Sequence, residues 1–399
     1  MATTTTRPVF DAQPSAAEIA ARVAGYGAWL EIDLDAMGRN LERLRRRLGT
    51  GTDLMPCVKN NAYGHGLLPV VAYLAEQGVG RILVVRLREA EQIVDAGIRV
   101  RILNMGPLFT EAQYESVARR GIVQAIYTRE VAEQLSDAAA RLGREAAVFV
   151  KIDTGLRRVG VWHEEAAELV ERVAKLPSLK VEGIFSTLSQ NAEQDPVQLE
   201  RLLAVDGALR SRGIDPGLRS LASSDATLHR PAAHLDLVRP GALIYGVYPE
   251  KKDLAAGLEL EQALALKARI EHVKWVERGA SVTYWGRFVA PERMRIGTLP
   301  LGFSDGLPRE LANRARVLVG GRYQSSLGSV SLNHLVVDLT DVEAERGDVV
   351  EVIGRRGENT LGRVAETAGW MVYSLLNHLS PTTPRMYYRD GQPVALTEL

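Results

Sequence analysis

From Leu30 to about Tyr248, short runs of β-branched and aliphatic residues alternate with longer amphipathic stretches, the pattern of βαβ units around a parallel sheet. The runs that read as strands are Leu54–Lys59, Arg81–Arg86, Arg101–Asn104, Val123–Tyr127, Ala147–Ile152, Leu179–Phe185, Leu218–Ala222 and Leu235–Val238. Helices lie between them. One is His163–Leu176, where Ala166, Leu169, Val170 and Val173 share a face and Pro177 ends the run. Eight strands with intervening helices predict a closed (β/α)₈ barrel of the TIM type, so the fold class is α/β. A preceding helix, Ala36–Leu48, places Met37, Leu41, Leu44 and Leu48 on one side, with Asp33 and Asp35 at its start and Gly49 at its end. It is expected to cover the barrel's edge or floor.

After about Glu250 the pattern shortens to alternating runs separated by turn residues. In Val317-Leu318-Val319-Gly320-Gly321-Arg322-Tyr323 the Gly-Gly pair suits a two-residue hairpin turn. The run from Leu266 alternates apolar and charged positions and then shifts phase at Val273 and Trp275, which predicts a bulge near His272. A late helix, Leu361–Leu379, is expected to close the chain. The division expected is an arm over 1–26 with a short helix Ala16–Val23, a barrel over 27–250, and a mostly antiparallel β domain over 251–399.

Composition narrows the partners. Lys+Arg and Asp+Glu number 49 each, a balance that favours neither nucleic acid nor an anionic membrane. The single cysteine, Cys57, offers no internal disulfide and no thiolate cluster for zinc. The polar, Thr-rich opening Met1 to Pro14 has no apolar run of the kind a secretory signal needs, and no stretch approaches a membrane-spanning helix. A cytoplasmic protein acting on small molecules is expected. None of the seven histidines forms a metal-binding H-E-x-x-H pair, so no metal is implied.

Barrels of this class build their sites at the carboxyl ends of the strands. Lys59 ends the first strand there, Arg158 follows the fifth, Ser223 and Ser224 follow the seventh, and Arg239 with Gly241 follows the eighth. Ser223-Ser224-Asp225-Ala226 and Arg239-Pro240-Gly241-Ala242 suit a phosphate, since Ser224 donates through its hydroxyl and Gly241 admits close backbone approach. A lysine facing a phosphate site suggests pyridoxal phosphate, whose aldehyde needs an amine and whose phosphate needs an anchor.

The stretch Val58-Lys59-Asn60-Asn61-Ala62-Tyr63-Gly64-His65-Gly66 closely resembles the cofactor-lysine motif of the alanine racemase family, a group of fold-type III pyridoxal-phosphate enzymes. The resemblance continues through Lys151 to Gly160, Val238 to Gly241, Ser281 to Gly286 and Leu301 to Gly306, and covers nearly the whole chain after Trp29. It implies an isomerase that interconverts L- and D-alanine by two-base α-proton transfer. Lys59 would be the cofactor lysine and one base. Tyr63, Ser224, Gly241 and Ala242 would hold the phosphate, and Thr187 would lie beside the ring. Arg239 would face the pyridine nitrogen, and Arg158 would grip the substrate carboxylate. Lys151 matches a lysine that is carbamylated in some relatives. Tyr284, the opposing base, and Leu332, a backbone contact to substrate, would come from the other subunit of a homodimer with shared sites.

Five residues at four places depart from the family pattern. Thr187 stands where a histidine is common, and Phe303 where a tyrosine is frequent. Leu332 and Asn333 replace Met-Asp, and Pro381 falls near a tyrosine used at the phosphate. These changes leave open a racemase of another or of several amino acids. A reading from another class is a serine hydrolase, because Gly302-Phe303-Ser304-Asp305-Gly306 matches the G-x-S-x-G nucleophile elbow.

Overall fold

The structure, a computed structural model, describes residues 8–398. Eight parallel strands form the barrel: Asp53–Leu54, Arg81–Val84, Arg101–Asn104, Val123–Ile126, Ala146–Asp153, Leu179–Phe185, Leu218–Ser220 and Leu237–Val238. They lie where the aliphatic runs are, because strands covered by helices outside and packed side chains inside are buried on both faces. All four residues of Val123–Ile126 are buried, for instance. The first strand pairs with the eighth. The ring closes through a parallel bridge between Cys57 and Leu83, with Val58 N–H bonded to the Leu83 carbonyl at 2.9 Å. The expected strand Leu54–Lys59 therefore ends early. Its extended path continues in single bonds to the neighbours on either side, and Lys59 already begins a helical turn.

The second domain holds a seven-stranded sheet in the order Arg322–Ser325, Arg316–Val319, Val349–Ile353, Leu264–Arg269, Ala28–Asp33, Arg385–Arg389, Gln392–Thr397. A smaller sheet joins His272–Val276, Met294–Leu299 and Leu335–Asp338. The strand Ala28–Asp33 lies between Leu264–Arg269 and Arg385–Arg389, so residues that the sequence assigns to the barrel segment belong to this sheet instead. The hairpin turn at Gly320-Gly321 has φ of +54° and +82°, the left-handed pair that two-residue hairpins require. The bulge expected near His272 is replaced by a change of sheet, and the register shift lies at Leu266/Lys267. The late helix is two helices, Leu361–Ala368 and Val372–His378, and the hairpin Arg385–Thr397 follows them.

The helix Leu34–Leu48 begins where Asp33 Oδ1 accepts the Ala36 N–H at 2.9 Å. Its Asn40 amide donates to the carbonyls of Ile244 and Glu261, sealing the carboxyl end of the eighth barrel strand against the second domain. The short helix Ala16–Val23 packs Ile19 and Val23 on Trp29, Met386 and Leu396 of the second domain. The first seven residues of the arm lie outside the described ones. Among the described residues no helix is long and apolar enough to cross a membrane.

Candidate active site

Lys59 leaves the barrel seam directly into a turn of unusual hand. Asn60, Asn61, Ala62 and Tyr63 have φ between +52° and +56°. Asn tolerates that region, whereas Ala and Tyr resist it, and roughly 1–2 kcal/mol per residue opposes such a run. The sum is comparable to the net stability of a whole domain, so contacts must impose the turn. Several do. Asn61 Oδ1 accepts the Leu67 N–H at 2.7 Å, and Ala62 N–H bonds to the Val58 carbonyl at 2.9 Å. His65 sits with Nδ1 3.1 Å from the carbonyls of Ala62 and Tyr63, and its ring stacks on Tyr245 at 4.4 Å. Burial pushes His65 down to about 4, so it is neutral and serves packing.

The turn delivers the Tyr63 hydroxyl to the loops after the last two strands. Gly241 N–H donates to Ser224 Oγ at 2.9 Å, and Ala242 is buried at the head of the turn Ala242–Tyr245. A Cβ on Gly241 would stand 2.7 Å from the Tyr63 hydroxyl. Hydroxyl and peptide thus come closer than any side chain permits, as a phosphate held jointly by hydroxyls and backbone N–H groups requires. Tyr63, Ser224, Gly241 and Ala242, proposed from separate parts of the sequence, form one cradle. Tyr373, on the helix Val372–His378, completes it. Its ring lies 6.0 Å from that of Tyr63, and burial raises its hydroxyl to about 12, an effect the Ser224 hydroxyl partly opposes. No motif surrounds Tyr373, and only its helical spacing was visible. Pro381, the position read as replacing a phosphate tyrosine, lines a different cavity.

Between the cradle and the fifth strand lies Arg239. Its guanidinium is buried and donates to the Ser220 hydroxyl, to the Ser186 carbonyl at 2.6 Å and to Thr187 Oγ1 at 3.4 Å. No carboxylate pairs with it among the described residues. Burial lowers it to about 10, so it still carries its proton at neutral pH and can only donate. Thr187 Oγ1 also accepts from Lys151 Nζ at 3.4 Å, so one hydroxyl lies between two cationic side chains. Lys151 rests 4.6 Å from the centroid of Phe185. Burial, then Arg239, then Arg158, push its ammonium down to about 7. Arg158 itself is exposed on the loop after the fifth strand.

The second domain offers a separate group. Tyr284 is 63 % exposed, and its hydroxyl has no hydrogen-bond partner among the described residues. It occupies a turn in which Thr283 and Trp285 have φ of +63° and +61°, held by the bond from Ser329 N–H to Thr283 Oγ1 at 2.7 Å. Leu332, also exposed, follows in the loop that Phe303 N–H ties through the Ser331 carbonyl. Ser304 of the hydrolase-like motif donates its hydroxyl to the Leu332 carbonyl at 2.8 Å and accepts from Asn333 Nδ2 at 2.9 Å. No histidine is bonded to it, and the surrounding strands are antiparallel, so it is a loop staple rather than a nucleophile.

A lysine at the end of the first strand, a phosphate cradle after the last two and a buried guanidinium beside them define a barrel enzyme of the pyridoxal-phosphate class. Residues 32–249 match the alanine racemase N-terminal domain, and residues 263–387 the alanine racemase C-terminal domain. The chain belongs to the alanine racemase family. It is 34 % identical over 377 residues to the alanine racemase of Clostridium perfringens, covering 92 % of this chain and 96 % of that one. Identity to the alanine racemase of Carboxydothermus hydrogenoformans is 35 % over 366 residues, 90 % of this chain and 99 % of the relative. The solved alanine racemase of Clostridium difficile 630 superposes with a TM-score of 0.89 at 28 % identity, covering 94 % and 99 % of the two chains.

Proposed function

We propose that the protein interconverts L- and D-alanine, in a homodimer whose sites each take Lys59 from one subunit and Tyr284 from the other. The observations that carry the reading are Lys59 Nζ 5.9 Å from the centroid of the Tyr63 ring, the Tyr63–Ser224–Gly241–Ala242 cradle and a buried Arg239 without a carboxylate partner among the described residues. Bound there, pyridoxal phosphate supplies the electron sink that acidifies the substrate's α-carbon. Arg239, which can only donate, would leave the ring nitrogen of a bound cofactor as an acceptor, and that would limit the sink and disfavour transamination. Lys59 holds the cofactor and moves a proton on one face. Tyr284 moves one on the other. Arg158 binds the substrate carboxylate, and the Leu332 backbone provides a second contact.

The exposed apolar side chains Tyr284 and Trp285, with Phe303 joined to Trp285 through Arg309 and with Leu332, support the dimer, since exposed apolar groups of this kind suit a partner. The lone buried cysteine supports a cytoplasmic setting. Thr187, smaller than a histidine, favours a second reading in which several amino acids are accepted. Measuring α-deuterium incorporation across a panel of L-amino acids tests both. Alanine is expected to exchange fastest; comparable rates for larger residues would establish the broader racemase, and inert alanine would remove the assignment.

A further inference from the structure

The left-handed turn after Lys59 is gripped from two sides by side chains that have no role in the chemistry above. On the barrel side, the buried carboxyl of Glu89, in the first turn of the helix Leu87–Asp95, accepts the Asn61 N–H through Oε1 at 3.0 Å. Its other oxygen is buried and has no partner among the described residues. On the second-domain side, Arg385 at the head of Arg385–Arg389 donates from Nε to the Gly64 carbonyl at 2.7 Å. Its remaining donors go to the carbonyls of Pro381, Thr383 and Ser380, at 3.0, 2.8 and 3.1 Å. This arginine is 3 % exposed and makes no ion pair among the described residues.

The placement matters because packed core encloses only the Ala62–Tyr63 side of the turn. Asn60, Asn61, Gly64, Glu89 and Arg385 line one cavity of about 690 Å³. Packing holds the turn through Ala62, Tyr63 and His65, and on the open side hydrogen bonds hold Asn61 and Gly64. The bonds through Asn61 Oδ1 and His65 are local to the loop and would travel with it. Glu89 and Arg385 instead fasten it to a barrel helix and to a strand more than 300 residues away in sequence. A right-handed turn would reorient the Asn61 N–H and the Gly64 carbonyl and lose both bonds.

We propose that Glu89 and Arg385 are positioning residues for Lys59, aiming its amine at the cofactor cradle by fixing the turn's hand. Arg385 makes that aim depend on the second domain of the same chain. The inference rests on Lys59 being the cofactor lysine. Buried groups of this kind also serve stability alone, so the test separates aim from stability.

In the holoprotein, Arg385→Met and Glu89→Ala are compared with the conservative Arg385→Lys and Glu89→Gln. The readouts are the residue labelled by borohydride, the pH titration of the bound cofactor's visible absorption, kcat and KM per bound cofactor, and melting of the apoprotein. Arg385→Met and Glu89→Ala are expected to keep the label on Lys59 and to lower kcat about tenfold or more, with KM changed by less than about threefold. Their absorption titration moves by about one pH unit as the amine's surroundings change. Arg385→Lys and Glu89→Gln retain a donor and an acceptor for the same peptide groups and recover most of the loss. Where a truncation fails to fold, Arg385→Lys decides: a compact ammonium in place of a planar fork should still move the titration by about 0.3 units, and an unmoved one overturns the proposal. Lower melting with kcat and titration unchanged in the truncations also overturns it, leaving Lys59 as cofactor lysine. A label on another residue removes both readings.

Discussion

The two groups of residues assigned to the site are built to opposite specifications. Around Lys59 the polar groups are buried and bonded to one another: Arg239 donates to two hydroxyls and a carbonyl, and the Gly241 N–H donates to Ser224. Around Tyr284 the ring is exposed, the hydroxyl has no hydrogen-bond partner among the described residues, and Trp285 beside it is 69 % exposed. Yet the Tyr284 turn is also constrained in its backbone, with two residues held at positive φ against four in the lysine turn. A rigid turn displaying an unsatisfied side chain is a half-site prepared for a second surface. The barrel half-site is prepared for a ligand.

The contrast can be broken most severely at Lys59. Lys59→Ala is expected to lose racemisation by roughly 10⁴-fold or more and to lose the visible band of bound cofactor. A coloured, borohydride-trappable variant would sink the assignment. Tyr284→Phe should cost about 10³-fold in racemisation while still exchanging the α-hydrogen of D-alanine with deuterated solvent, because Lys59 serves that face. Mixing Tyr284→Phe with Lys59→Ala subunits should then restore about a quarter of the wild-type rate. Half of the reassorted dimers are mixed, and each mixed dimer has one intact site of two. A dead mixture in which heterodimers are demonstrated would place both bases on one chain.

Smaller effects sharpen the barrel half. Gly241→Ala brings a methyl within 2.7 Å of the Tyr63 hydroxyl and should weaken cofactor affinity about tenfold, measured by equilibrium dialysis, while leaving dimerisation unchanged. The smallest effect is a pH dependence. Lys151 has its pKa lowered from 10.5 to about 7 by burial and its two arginine neighbours. Between those values the unfolded chain holds more protons, so stability rises as pH climbs from about 7 towards 10.5, and below 7 the full cost is felt. In carbonate-free buffer, Lys151→Met should therefore raise the melting temperature more at pH 7 than at pH 10. Equal shifts at both would refute the lowered pKa. Added ¹³C-bicarbonate should yield a carbamate signal absent from Lys151→Met, since the neutral amine is the reactive form.

Much of this was legible because parallel barrel strands announce themselves as aliphatic runs, and because Lys59, Tyr63, Ser224 and Gly241 stand in short stretches with chemistry of their own. Tyr373, Glu89 and Arg385 were not, since each acts through a contact between elements distant in sequence and carries no local pattern. The left-handed turn was half visible. Asn60-Asn61 permits it, but Ala62 and Tyr63 argue against it, and only the surrounding bonds explain why they yield. Residues 28–33 fell within the barrel segment drawn over 27–250 for the same reason, and their strand was not read: its hydrogen-bonding partners lie near residues 265 and 387.

That strand also sets the order in which the protein can be made. It is an inner strand of its sheet, and its parallel neighbour is synthesised about 355 residues later, Leu30 pairing with Arg385. At ribosomal speeds the interval is roughly 20–70 s. The barrel, whose segment is synthesised in between, can therefore close while Leu30 and Ile32 still lack that neighbour. A nascent chain stalled before residue 385 would carry an aliphatic strand with one edge open, which is a substrate for chaperones and for aggregation.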